Sequence, residues 1–438
     1  MPRPSWRFWL VLTALVWLGL GVAAWWGAAR LAQGAAQITR FRAVSGGAED
    51  GLDVITKGYR FDLVAWQAPE FARWALDSLA IRSGDADDQE ASAVSRYFEL
   101  GGALRRARLR QAAASAPEAQ TQAAATVASL QRERDALELA SRRAINQMVT
   151  TQLAKAGLGA GPGGAVLPPV AFTLARPPSV LVISPRDRIF TERRTILVPD
   201  IPDATAERLE REAEAQGWSA IVEPTGGYST YPTIVADNTS LDFALQTVAH
   251  EWMHTYLITR PLGFNYFSSP QMATVNETVA NLVGREVGRQ VQAAHFPPRP
   301  ASPQPPAATT PPADAAPAAE RFDFRTEMRA TRLEAERLLQ AGQVEAAEAY
   351  MEERRKLFAA QGYAIRRLNQ AYFAFHGSYA DTPGSIDPIG PALERLLEST
   401  GSVSSFVRAV EGISSYAGYQ ALLARFDIPE GTTLPRGR

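Results

Sequence analysis

Residues 241–258, LDFALQTVAHEWMHTYLI, constrain this chain more than any other stretch. The apolar residues Phe243, Leu245, Val248, Ala249, Trp252, Met253, Tyr256 and Leu257 recur at helical rather than alternating intervals, which predicts an α-helix. Residues four apart on a helix stand one above the other, so His250 and His254 share a face and Glu251 projects beside them. Two neutral imidazoles with an adjacent carboxylate are the parts needed to hold a catalytic zinc ion and to deprotonate its water. The competing account is that the histidines merely pack on a buried helix. Only four histidines occur in the chain, which makes this spacing unusual by chance.

Pro261 and Gly263 end the first helix, and a second helical run, VNETVANLV, is expected from about Thr274. Two antiparallel helices joined by a loop bring Glu277 opposite the histidine pair, as a third ligand; the alternative is a solvated surface acid. Asn281, one turn on, either supports a ligand by accepting an imidazole N–H or is a surface amide. The chain has no cysteine, so any metal must be held by nitrogen and oxygen, and one Zn²⁺ is the expected cofactor.

HEWMH followed by Asn276-Glu277 resembles the gluzincin zinc metallopeptidases, the group that includes thermolysin and the membrane alanyl aminopeptidases. The resemblance implies that His250, His254 and Glu277 are the metal ligands and Glu251 the general base. It extends only over the two helical runs. The residues after His254, Thr-Tyr-Leu-Ile-Thr-Arg, lack the third histidine of the metzincin pattern, and no Gly-x-Met-Glu-Asn exopeptidase stretch lies upstream. Endopeptidase and aminopeptidase activity both stay open. Family members stabilise the oxyanion with a downstream Tyr or His, a role for which Tyr372, His376 and Tyr379 are the candidates here. Equally, these aromatics pack a C-terminal bundle and His376 closes a helix before Gly377.

Residues 8–29 contain no charge and are long enough to cross a hydrocarbon core of roughly 30 Å. Trp6, Trp9, Trp25 and Trp26 suit the two interfaces, favouring a retained single span over a cleaved signal peptide. Residues 1–31 are therefore expected to be a cytoplasmic tip and anchor. Arg3 and Arg7 favour an extracytoplasmic catalytic part, although Arg30, Arg40 and Arg42 pull the other way. Residues 32–156 read as a helical stalk or bundle, with runs through Trp66, Phe71, Trp74 and Leu79, through Tyr97 to Arg110, and on to Leu153.

The glycine-rich break at 157–164 opens an α+β domain, expected over 157–295. Strands are predicted at 179–184, 195–199, 219–223 and 230–236, with a helix at 204–216. Pro232 cannot donate to a ladder, so the last strand is expected at a sheet edge. There Tyr231, Thr233, Ile234 and Val235 would offer a backbone to an extended peptide, although many edge strands bind nothing. Thr239 or Ser240 should cap the metal helix. A Pro-rich linker is expected over 296–320, and over 321–438 a helical part, with two helices hinged at Gly342, that completes the cleft.

The expected fold is thus α+β and predominantly helical, a small mixed sheet packed on the HExxH helix, with an N-terminal transmembrane helix. The expected function is that of a membrane-anchored zinc peptidase acting on peptide or protein substrates through a metal-activated water. The alternative is a membrane-tethered binding or scaffold protein with a structural or vestigial metal site. Glu251 favours the enzyme, since a purely structural site has no use for that carboxylate. A net charge of −1 gives no reason to expect nucleic acid, and nothing in the sequence sets an oligomeric state.

Overall fold

A computed structural model describes residues 51–78, 86–159, 161, 165–296, 322–377 and 387–429. The expected anchor at 1–31, Leu79, Tyr379 and the Pro-rich tract beyond Phe296 lie outside the described residues. Among the described residues no helix is long and apolar enough to cross a membrane. Helices dominate, with two small sheets, as an α+β reading requires.

The chain opens with α1 (Gly51–Thr56) and α2 (Leu63–Ser78), followed by a pair of long packed helices, α3 (Asp88–Ala113) and α4 (Pro117–Lys155). A capping box starts α3: Asp87 accepts from the Glu90 amide at 2.8 Å, and Glu90 accepts from the Asp87 amide at 3.0 Å. Proline, which lacks the N–H that a first turn cannot use, opens α4. Val94, Tyr97, Leu100 and Leu104 form a buried stripe along α3.

Next come β1 (Phe172–Ala175), β2 (Ser179–Pro185), β3 (Arg193–Leu197), α5 (Asp203–Glu214), β4 (Trp218–Pro224), β5 (Gly227–Tyr228) and β6 (Thr233–Ala236). One sheet, ordered β3-β2-β4, is antiparallel. Its central strand β2 is buried on both faces and divides its side chains by strand periodicity. Leu181 and Ile183 pack with Leu209 of α5, whereas Val180 and Val182 join Ala371 on the opposite face. The other sheet, β1-β6-β5, is mixed: β6 runs parallel to β1 and antiparallel to β5.

This order corrects one expectation. β6 is the middle strand, not an edge, and Pro232 lies just before it. Thr233, Ile234 and Val235 are buried; all three pair with β1, and Ile234 and Val235 also with β5. Tyr231 is also interior, its ring 5.1 Å from that of Trp74 and its hydroxyl donating to the Pro169 carbonyl at 3.2 Å. Proline could sit here because it precedes the ladder rather than interrupting it. The free edge on this side belongs to the two-residue β5, in a stretch whose sequence reads as a glycine turn.

The remaining elements are α6 (Leu241–Leu257), α7 (Pro261–Phe264), α8 (Pro270–His295), α9 (Phe324–Gln340), α10 (Val344–Ala360), α11 (Gln370–His376), α12 (Ile389–Thr400), α13 (Val403–Val410) and α14 (Tyr416–Arg425). The helices α3, α4, α6, α8 and α12 to α14 share one large hydrophobic core. A second core joins α9, α10 and α11, with the turn between α9 and α10 made at Gly342, whose φ of 73° favours glycine. Glu210 of α5, fully buried, accepts from the Val222 amide and from Arg366, each at 2.7 Å, and so ties the C-terminal segment to the antiparallel sheet.

The α6/α8 packing depends on two glycines one turn apart. A Cβ at Gly284 would lie 2.7 Å from the Gln246 carbonyl oxygen and 2.9 Å from His250 Cβ; one at Gly288 would lie 2.9 Å from the Gln246 amide nitrogen. Only hydrogen fits at either place without the helices moving apart. Gly288→Val should therefore cost about 1–3 kcal/mol by overpacking, read as a lower denaturant midpoint with an unchanged slope.

Candidate metal centre

Helix α6 begins at Ser240, whose hydroxyl accepts from the Phe243 amide at 3.2 Å, with Asp242 in the first turn. The preceding turn is fixed from outside: Arg134 of α4, almost wholly buried, meets Asp237 at 3.1 Å and the Tyr97 hydroxyl at 2.9 Å. Trp252 donates its indole N–H to the Pro168 carbonyl at 2.8 Å, which sets the rotation of the helix. That rotation turns His250 and His254 toward α8. Ser269 caps α8 by accepting from the Met272 amide at 3.2 Å, and Pro270 occupies its first turn.

The two helices bring His250, His254 and Glu277 together, with one ligand atom from each lying within 4.8 Å of the others. Among the described residues this is the group of His, Asp and Glu side chains able to hold a metal. The imidazole Nε2 atoms are 3.0 Å apart, and Glu277 Oε2 is 3.6 Å from that of His250 and 3.3 Å from that of His254. Glu277 Oε2 is buried and accepts no hydrogen bond, and a buried carboxylate oxygen is costly to leave so. A cation between the three atoms would satisfy it. Two imidazoles and one carboxylate oxygen are a donor set suited to zinc.

Electrostatics favour positive charge at this point. Burial opposes ionisation of Glu277, but the neighbouring charge of His254, then that of His250 and the hydrogen bond from Tyr266, outweigh it and hold the carboxyl well below the usual range. Burial likewise disfavours a protonated His254, yet the neighbouring Glu277 carboxylate more than reverses this and raises the imidazole.

The candidate ligands are themselves held. His254 Nδ1 lies 2.9 Å from Asn276 Oδ1, and Asn276 Nδ2 donates to the Leu262 carbonyl at 3.3 Å. Asn276, which is 1% exposed, thus orients the imidazole in the manner expected of Asn281; Asn281 lies further along α8 and is half-buried. Tyr266, in the connector between the helices, donates its hydroxyl to Glu277 Oε1. Ser229, just after β5, donates to Glu251 Oε2. A Cβ on Gly227 would lie 2.9 Å from Glu251 Oε1 and 2.8 Å from Thr247 Cγ2, so glycine lets the strand lie directly against the carboxylate. Glu251 is buried at 6% exposure.

Tyr372 and His376 belong to α11, on the antiparallel sheet. Their rings are 4.2 Å apart, and His376 Nε2 is 3.9 Å from Glu223 Oε2 of β4. Neither takes part in the contacts just described around the ligand group. Sequence reasoning missed Tyr266 and Ser229. Nothing in their local pattern marks them; proximity to the ligands through the connector and through β5 is the only signal.

The paired shifts fix how the metal-free protein should respond to pH. His254, raised on folding, contributes stability fully present below its unfolded value of 6.5 and lost as pH rises through the raised one. Glu277, lowered on folding, contributes stability present above its unfolded value of 4.5 and lost as pH falls toward the depressed one. Thermal unfolding of chelator-treated protein should show the pair's contribution greatest between those values, and Glu277→Gln should flatten the alkaline fall. No protein-family model matches this chain, and comparison with curated proteins and with solved structures finds no match to either.

Proposed function

We propose that this chain is a zinc-dependent peptidase, hydrolysing peptide bonds in peptide or protein substrates. The observation that carries the reading is the orphaned Glu277 Oε2, buried and 3.3–3.6 Å from two imidazole nitrogens that rise from one helix beside a carboxylate. His250, His254 and Glu277 would hold the ion. A divalent ion so held supplies Lewis-acid polarisation of a substrate carbonyl and an acidified water.

The protein's own groups do the rest. Glu251 takes a proton from the attacking water and delivers it to the leaving amine, which is general-base and then general-acid work. The Ser229 hydroxyl fixes which way the Glu251 carboxylate faces. An extended peptide pairs with the open edge of β5, whose backbone runs past Glu251 at Gly227; main-chain bonds supply affinity there and side chains alternate away. Substrate thus lies between that edge and the two ligand helices. His376 and Tyr372 stand beside Glu223 and receive no role in this scheme. The apolar stretch at residues 8–29 would tether the catalytic part to the outer side of a membrane.

Glu251→Gln keeps the shape of the side chain and all three metal-holding residues but removes the base. It should retain one zinc per chain and lose at least about a hundredfold in turnover of a mixed peptide library, while a chelator should stop the parent. Cleavage by the variant at the parental rate would remove Glu251 from the chemistry. Zinc bound without any chelator-sensitive cleavage by the parent would reduce the centre to a structural one.

A further inference from the structure

The connector between the ligand helices carries a phenol that the scheme above leaves unused. Tyr266 donates to Glu277 Oε1, and its ring stands edge-on to His254 with centroids 6.4 Å apart. The other carboxylate oxygen, Oε2, is the one that accepts no hydrogen bond and the one nearest both imidazoles. The two oxygens of one side chain have been given different surroundings.

We infer that Tyr266 makes Glu277 a one-oxygen ligand, a conclusion that rests on the metal-centre reading above. A carboxylate grips a cation with one oxygen or with both, and both can be used only if the group turns to set them at similar distances. A phenol bound to Oε1 opposes that rotation and occupies lone-pair density the cation would need. Glu277 is then left with Oε2 alone, the protein donors number three, and a fourth position stays available to solvent or substrate. Tyr266 acts through Glu277 and is a positioning residue.

The phenol is delivered by a tightly held connector. A Cβ on Gly263 would lie 2.0 Å from the Leu257 carbonyl oxygen, so the chain can fold back on the end of α6 only with glycine there. The Leu262 amide donates to the Glu411 carbonyl at 3.1 Å, while the Glu411 carboxylate accepts from Tyr256 at 2.7 Å and from Arg260 at 3.2 Å. Asn276 meets the same connector at the Leu262 carbonyl. Tyr266 therefore approaches Glu277 from a fixed side.

The test uses the full chain in detergent, loaded with cobalt(II) or zinc, and the variant Tyr266→Phe, which removes one oxygen. The variant should bind zinc about tenfold more weakly in a chelator competition. Its cobalt visible bands should weaken, as they do when a second carboxylate oxygen enters and coordination rises from four to five. Tyr266→Gln, which restores a donor, should recover part of the parental spectrum. X-ray absorption of the zinc-loaded parent needs no variant and should give a four-atom shell. A five- or six-atom shell in the parent overturns the inference, as does a Phe variant with the parental spectrum and affinity. A parent that binds no zinc at all defeats the metal centre itself, a separate failure.

Discussion

Helix α6 touches helix α8 backbone to backbone where Gly284 and Gly288 face Gln246 and His250, and the candidate centre exists only because of that contact. Neither histidine can reach Glu277 unless the two axes lie close. Side chains larger than hydrogen at these positions would push the helices apart and draw the imidazole nitrogens away from the carboxylate. The stripe of Val279, Val283, Val287 and Val291 along α8 packs in the same large core as Leu245, Val248 and Met253 of α6. Apolar burial, favourable but undirected, thus supplies the force that closes the pair. The glycines determine how far it closes.

Around that contact the polar groups near the candidate ligands are arranged in donor–acceptor pairs. Asn276 bridges His254 to the connector, Tyr266 meets Glu277, and Ser229 meets Glu251. These bonds come from three separate stretches, the turn after β5, the connector and α8 itself. A buried polar web of this kind is costly when incomplete and rigid when complete. The exception, Glu277 Oε2, is at the point where the three ligand atoms converge, which is why it reads as a binding position and not as a packing defect.

Much of this was legible from residue order alone. The helical spacing around His250 and His254, the cap at Ser240, the run containing Glu277 and the paired helices about Gly342 all follow from local periodicity and turn chemistry, which act within a few residues. The start of α8 at Pro270 came four residues earlier than the apolar pattern begins, because Ser269 and Pro270 nucleate the turn before the core-facing residues appear. What failed was long-range. β1 is four residues long and acquires its identity only by lying parallel to β6, so the mixed sheet's order, and with it the position of β6, could not be read. Tyr266 and Ser229 are likewise ordinary residues in their own neighbourhoods; only the fold brings them to the two glutamates.

The staple at Glu411 has a temporal consequence. His250, Glu251, His254 and Glu277 all lie between positions 250 and 277, so they leave the ribosome long before the residue that secures the connector. A nascent chain of that length carries every coordinating atom but lacks the bonds that anchor Leu262, Tyr256 and Arg260, along with the C-terminal helices that finish the common core. The contacts at Glu411 are thus available to the connector only once synthesis has nearly reached the C-terminal helices.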